Sequence, residues 1–249
     1  MATDDHKTSR RNFLAGAAAL TPIVTLAGAQ ALDKAPKSDS AGADTHTSTP
    51  APNRPAAADY TPTYFTPPEW AFINAACARL IPNDDNGPGA LELGVPQYID
   101  RQMSTSWADG GIWYMQGPFF EGPAELGYQS QLTPKQQYRL GIKAINDVCQ
   151  DKFKKDFAAL AAADQDGVLQ QIEKGTLKSQ ELPLRTFFTS FLLKNVQEGY
   201  FGDPMYGGNK DMAAWKMIGY PGVRGDYLEW VGDAKPYPYG PVSIYGERG

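Results

Sequence analysis

The chain has 249 residues, two histidines and a formal net charge of −5. Both histidines, His6 and His46, precede residue 65, so the part of the chain that is apolar enough to form a core contains no imidazole. A Ser-His-Asp triad, an HExxH zinc site and a histidine-ligated haem are therefore excluded within that part. There is also no C-x-x-C-H motif and no GxGxxG motif after a strand. A mildly acidic chain without basic clusters argues against binding to nucleic acid or to an anionic membrane surface.

Residues 1–29 have the features of an export signal. Arg10 and Arg11 are followed by Phe13 and Leu14 and then by a weakly apolar run, residues 15–29. That run is shorter than the roughly 20 residues that cross a bilayer. Paired arginines before such a run are typical of the twin-arginine signal, and small residues at its end fit a cleavage site. We expect export to the periplasm; the alternative is a disordered basic terminus of a cytosolic protein.

The rest of the chain divides by composition. Residues 30–64 are mostly Ala, Ser, Thr, Pro, Asp and Lys, which cannot bury enough surface to fold and indicate a disordered linker. Residues 65–222 carry helical patterns and are expected to form the domain. Residues 223–249 are rich in aromatic residues and proline, which indicates an extended tail. The predicted fold is all-α or mainly α: a single small helical domain with long irregular aromatic-rich loops.

Two capping boxes mark the clearest helices. Thr66-Pro67-Pro68-Glu69 precedes a stripe of Trp70, Ile73, Cys77 and Leu80, and Pro82 stops this helix. Thr133-Pro134-x-Gln136 precedes a stripe of Tyr138, Ile142, Ile145 and Cys149. Between them Pro96 is expected to open a short helix that runs to Met103, with Tyr98 and Ile99 facing inward. Later helices are expected from Asp164 to about Gly175 and from Pro183 to Gly199.

Cys77 and Cys149 are the two cysteines of the chain. In an oxidising compartment an even pair indicates a disulfide first, and both residues lie on core-facing stripes. Two buried free thiols, or a bond from one cysteine to a partner chain, remain as alternatives. Neither cysteine lies in a C-x-x-C motif, so we do not expect a redox-active pair.

Two regions carry more aromatic residues than a small domain normally exposes. The irregular segment 107–131 either closes over the local core or contacts a partner protein, and the tail either lies along a partner or packs on its own domain. The candidate interface residues of these regions and of the loop before the tail are Trp107, Trp113, Tyr114, Phe119, Phe120, Tyr206, Trp215, Tyr220, Trp230, Tyr237, Tyr239 and Tyr245.

Two polar groups are weaker candidates for chemistry. Asp84, near Asp85 and Asn86, could act with Glu92 on a metal or a water molecule, but the spacing is not that of an EF-hand loop and turn residues are the simpler reading. Asp203 with Tyr206 and Asn209 could bind a sugar. The neighbouring glycines favour a structural role, in which Asp203 accepts hydrogen bonds from backbone N–H groups.

Three long segments, residues 80–100, 113–119 (WYMQGPF) and 199–222, resemble the gluconate 2-dehydrogenase subunit 3 family. The resemblance covers roughly residues 65–222. It implies the small subunit of a membrane-associated dehydrogenase for gluconate, sorbitol, fructose or glucose, with gluconate the first choice from the WYMQGPF segment.

The resemblance also implies a division of labour between subunits. A large partner subunit would hold FAD and the substrate, a multihaem cytochrome c subunit would pass on the electrons, and this chain would hold no catalytic residue, cofactor or metal. It would reach the inner membrane only through the complex, and it would escort the flavoprotein subunit through export. Two other hypotheses stand beside this one: a periplasmic sugar-binding protein, and a hydrolase that uses a carboxylate pair such as Asp84 and Glu92.

Overall fold

The computed structural model describes residues 60–120, 122–123, 125, 130–233 and 235–249. Regular structure in these ranges is helical, and β-pairing is limited to isolated bridges. This confirms the predicted mainly α fold. None of the helices in the same ranges has the length and apolar character needed to cross a membrane. The export signal, with Arg10, Arg11, Phe13 and Leu14, and residues 30–59 of the expected linker lie outside the described residues. Residues 60–64, which were expected to belong to that linker, are described and form hydrogen bonds with the domain.

The first two helices begin where the sequence predicts. Helix α1 (Pro67–Leu80) starts after Thr66, whose backbone N–H donates to the carboxylate of Glu69 at 2.8 Å. Helix α2 (Val95–Gln102) has Pro96 in its first turn, where the missing proline N–H costs no hydrogen bond. Both helices are therefore started by local side-chain chemistry.

Helix α3 (Pro134–Phe153) has the second capping box. The Oγ1 atom of Thr133 accepts from the N–H of Gln136 at 3.4 Å, and the Thr133 N–H donates to Oε1 of Gln136 at 2.8 Å. The helix ends at Phe153, and the next residue, Lys154, adopts a left-handed conformation with φ of 59°. The stripe predicted for this helix, Tyr138, Ile142, Ile145 and Cys149, is buried.

Helix α4 (Ala162–Glu173) begins two residues before the expected start at Asp164. Asp164 lies in the first turn, where its negative charge is favourable beside the exposed N–H groups, and Ala161 takes the cap position. The inward side chains of this helix are the predicted ones, Val168, Leu169 and Ile172.

The longest continuous helical segment after α3 has an internal irregularity. Helix α5 (Leu184–Phe187) continues into a π-helical turn (Phe188–Leu192) and then into α6 (Leu193–Phe201). The predicted end at Gly199 is wrong by two residues, because the helix runs on to Phe201. A β-carbon built on Gly199 would lie 2.7 Å from Cδ1 of Tyr98, so this glycine permits α6 to pack closely on α2.

The core lies where α1, α2 and α3 meet the α5–α6 segment. Its largest fully buried side chains are aromatic rings, isoleucines and one methionine: Tyr138, Tyr200, Phe72, Phe157, Phe187, Phe188, Phe191, Ile73, Ile99, Met103, Ile142 and Ile145.

Backbone hydrogen bonds join the end of the tail to the turn that follows α7. Helix α7 (Ala213–Ile218) ends at Gly219, and the following turn pairs with the end of the tail. The Val223 N–H donates to the Val242 carbonyl at 2.9 Å, and the Val242 N–H donates to the Pro221 carbonyl at 3.1 Å. The end of the tail therefore packs on its own domain, which was one of the two alternatives.

Candidate functional site

Two tryptophans fix the segment 107–120 to the domain. The ring of Trp107 lies 6.5 Å from that of Phe191 and 6.2 Å from that of Trp113, measured between centroids. Ala108 is fully buried, and its carbonyl accepts from the N–H of Lys135 at 3.2 Å. The first part of this segment therefore closes over the core.

The second part of the same segment faces outward. Tyr114 and Phe120 are 75 % and 74 % exposed, and Ile112 and Phe119 are exposed as well. Isolated apolar side chains on a surface are ordinary, but four within nine residues of an anchored loop form the kind of patch that marks an interaction site. We call Ile112, Tyr114, Phe119 and Phe120 the outer loop cluster.

The aromatic candidates around α7 divide in the same way. Trp215 is buried, and its indole N–H donates to the carbonyl of Phe201 at 2.6 Å. Tyr220 packs edge-on against Trp215 at 5.0 Å but is about half exposed, as is Tyr206. Trp215 therefore has a structural role, whereas Tyr206 and Tyr220 add to the accessible aromatic surface.

The middle of the tail is held by its own aromatic contacts. The Tyr237 ring meets those of Tyr227, Trp230 and Tyr239 at centroid distances of 5.2, 5.7 and 5.5 Å, and its hydroxyl donates to Asp226 at 2.8 Å. The 3₁₀ helix Gly225–Trp230 nevertheless buries none of its residues. The segment is thus fixed without a core, and Tyr239, Tyr245 and Leu228 remain exposed.

Asp203 and Asn209 are occupied by the backbone. The carboxylate of Asp203 accepts from the N–H groups of Met205 at 2.9 Å and Ile244 at 2.8 Å. Asn209 is fully buried, donates to the Gly202 carbonyl and accepts from the Ala214 N–H, each at 3.0 Å. These contacts agree with the structural role predicted for Asp203, which also attaches the end of the tail.

The candidate carboxylates Asp84 and Glu92 do not form a defined site. Asp84 accepts from the backbone and side-chain nitrogens of Asn86 at 2.8 and 3.1 Å, which is a local turn, and Glu92 is exposed. In the described part of the chain, no three His, Cys, Asp or Glu side chains are grouped so that they could hold a metal ion.

Cys77 and Cys149 are present as free thiols, and both are buried. The expected bridge is therefore not formed in this structure, and for the exported protein it stays a prediction. Each thiol occupies a core position on its helix and behaves there as a small apolar side chain. Burial raises the pKa of the Cys77 thiol well above its usual range and that of Cys149 to about 11.

A chain of hydrogen bonds joins α2, α3 and α6, and it runs from the buried Tyr138 and Asn195 to the exposed Glu198. The hydroxyl of Tyr138 donates to the side-chain oxygen of Asn195 at 2.8 Å, and the amide of Asn195 donates to Glu198 at 2.8 Å. The hydroxyl of Tyr98 donates to the same carboxylate of Glu198 at 3.4 Å. Burial raises the pKa of both tyrosines, so they remain neutral hydrogen-bond donors.

Asp100 is a polar residue that the sequence did not single out. It lies on α2, is fully buried, and accepts hydrogen bonds from residues 60–65. Burial alone would raise the pKa of its carboxyl, but hydrogen bonds from the Thr63 N–H and its neighbours outweigh this and lower it. Helical periodicity could have predicted that Asp100 is buried, because positions 96, 99, 100 and 103 share the inward face of a helix.

Comparison with protein families identifies one match. The model of gluconate 2-dehydrogenase subunit 3 matches residues 67–222, which is more than half of the chain and includes α1 to α7. Searches of curated proteins and of solved structures found no match. The matched range agrees with the part of the chain that carries the helical core. The chain therefore belongs to the gluconate 2-dehydrogenase subunit 3 family.

Proposed function

We propose that this chain is the non-catalytic small subunit of a periplasmic, FAD-dependent gluconate 2-dehydrogenase. Family membership supports a role as a subunit of such a complex. The observation that carries the proposal is the outer loop cluster, which presents exposed aromatic rings from a segment that Trp107 fixes to the core. In this proposal the flavoprotein subunit covers that cluster, FAD and haem c reside in partner subunits, and the complex links the chain to the inner membrane.

The energetics of association favour such a surface. Tyrosine and phenylalanine supply a large contact area for the loss of few side-chain rotations, and aromatic residues dominate the energetics of interfaces. A loop that is already fixed loses less conformational entropy on binding than a mobile loop. The buried Ala108 and the contact of Trp107 with Phe191 supply that fixation here.

The interface is tested by replacing Tyr114 and Phe120 together with serine. Both side chains are about three-quarters exposed, so the free energy of unfolding should change little. Association with the flavoprotein subunit should weaken about tenfold or more, as expected when aromatic anchors are lost. The matched control is Glu173→Ser, an exposed substitution on α4. Unchanged association of the Tyr114→Ser, Phe120→Ser variant would remove the cluster from the interface.

We further propose that the chain carries its partner through the twin-arginine route. This route transports folded proteins, and an escort with its own export signal would permit a cofactor-loaded partner without one to cross. Arg10→Lys together with Arg11→Lys should leave both this chain and the flavoprotein subunit in the cytoplasm. Export of the flavoprotein subunit in the presence of that variant would refute the escort role, while leaving the subunit role intact.

A further inference from the structure

A short segment before α1, residues 60–65, is tied to the domain through one buried carboxylate. We call it the entry strap. Asp100 accepts from Tyr60 Oη at 2.8 Å, from Thr63 N and Oγ1 at 2.7 and 2.9 Å, from Tyr64 N at 3.0 Å and from Phe65 N at 3.1 Å. Asp100 itself is 0 % exposed. One carboxylate on α2 thus orders four of the six strap residues.

The strap also contacts α3 and, through Arg139, α1. The Tyr64 hydroxyl donates to the Lys135 carbonyl at 3.0 Å, and Nη2 of Arg139 donates to the Tyr64 carbonyl at 2.8 Å. The Arg139 guanidinium lies 4.3 Å from the centroid of the Tyr64 ring and forms an ion pair with Glu69 of α1. The strap also contacts α1 directly, since the ring centroids of Tyr60 and Trp70 are 5.7 Å apart, and it is therefore attached to three helices.

These contacts make the order of the strap depend on the assembly of the helices. A buried carboxylate is tolerated only when hydrogen bonds replace its hydration, and the strap supplies five of them to Asp100. Conversely, Phe65 is the only buried residue of the strap, so the strap relies largely on its hydrogen bonds for its position. Asp100 and the strap therefore stabilise each other.

We propose that the entry strap is a latch, closed by Asp100 only when α1, α2 and α3 are assembled. It couples the 59 preceding residues to the folded state of the domain. When the latch is closed, residues 60–65 are held against the domain. When the domain is incompletely folded, the latch opens and the aromatic residues Tyr60, Tyr64 and Phe65 become accessible to proteases.

The biological use of the latch rests on the proposed export role. If the domain is unfolded, the strap between it and the export signal is open to proteases. The latch itself does not depend on that role. Its test uses the purified full chain without any partner, so a failure of the latch and a failure of the escort proposal are distinguishable.

Limited digestion with chymotrypsin, read by intact mass, tests the latch. Chymotrypsin cleaves after aromatic residues, and residues 30–59 contain none, so cuts after Tyr60, Tyr64 or Phe65 identify opening of the strap. In the wild-type chain these three sites should resist cleavage. Asp100→Asn keeps the shape of the side chain but replaces an acceptor oxygen by a donor that faces backbone N–H groups. We expect strap cleavage to be about tenfold faster or more.

The matched control is Asp109→Asn. Asp109 lies near the strap, pairs with Lys135 at 2.7 Å and makes none of the hydrogen bonds to strap residues described above. It should leave strap cleavage unchanged.

A milder variant covers the case in which Asp100→Asn does not fold. Tyr60→Phe together with Thr63→Val removes the two side-chain donors to Asp100 and leaves its three backbone donors. Strap cleavage should rise several-fold while the midpoint of urea unfolding moves little. The latch is refuted if the strap sites of the wild-type chain are cut readily, or if this variant cleaves at the wild-type rate.

Discussion

Two glycines in the middle of helices should respond in opposite directions to the same substitution. Gly141 lies in α3, and a β-carbon built on it would lie 2.6 Å from Cδ1 and 2.7 Å from Cε1 of Phe187. Gly167 lies in α4, and a β-carbon built there would meet no atom within 4 Å apart from its chain neighbours and the backbone of its own helix. The pair therefore separates the intrinsic preference of a helix for alanine from the effect of packing.

The magnitudes follow from two opposing terms. Replacing glycine by alanine in a helix interior adds about 1 kcal/mol to the free energy of unfolding. At Gly141 the added methyl group falls well inside the carbon–carbon contact distance, and overpacking costs about 1–3 kcal/mol. The Phe187 ring cannot easily move aside, since it is fully buried and meets Tyr138 edge-on at 5.4 Å.

Gly141→Ala should therefore lower the free energy of unfolding by up to about 2 kcal/mol, and Gly167→Ala should raise it by about 1 kcal/mol. Urea denaturation, followed by far-ultraviolet circular dichroism and fitted for both midpoint and slope, measures the two changes. The reasoning fails if Gly141→Ala is more stable than the wild-type chain, or if Gly167→Ala is less stable.

Three further predictions address the buried polar groups. The pKa of Asp100 is lowered in the folded state, so the ionised carboxylate should stabilise the fold fully above the ordinary carboxyl pKa of about 4. This stabilisation should be lost as the pH falls through the lowered pKa. The urea midpoint of Asp100→Asn should therefore fall less over this pH range than that of the wild-type chain. Asp203→Ala should cost about 1–2 kcal/mol and speed hydrogen exchange at Ile244, and slow exchange there would contradict the anchoring role. An alkylating reagent should label neither cysteine in the native chain and both after denaturation, whereas no labelling after denaturation would indicate the Cys77–Cys149 bridge.

Much of the helical framework could be predicted because its signals are local. The capping boxes at Thr66 and Thr133 and the proline at Pro96 start helices within one residue of the expected positions. The inward stripe of α3 also follows directly from helical periodicity.

The features that the sequence did not predict depend on distant contacts. Gly199 resembles a helix terminator, but its function is set by Tyr98 of another helix. The π-helical turn at Phe188–Leu192 has no local breaker to announce it. The binding of the strap to Asp100 joins residues about 40 positions apart, which no window of periodicity covers.

The candidate surface shows the same limit. The sequence identifies the aromatic residues of the segment 107–120 but does not tell which of them close over the core and which face outward. Their division into buried anchors and exposed rings depends on where Phe191 lies relative to Trp107, and that position is set by the packing of the helices.

The most direct test of the central claim is affinity purification of the chain, with a C-terminal tag, from the periplasm and membranes of its own host. The eluate is scanned for flavin and haem absorbance and assayed for gluconate-dependent dye reduction. A dehydrogenase subunit should elute with a yellow, haem-bearing and active complex, and the Tyr114→Ser, Phe120→Ser variant should elute with less of it. A colourless protein that elutes alone would contradict the subunit role.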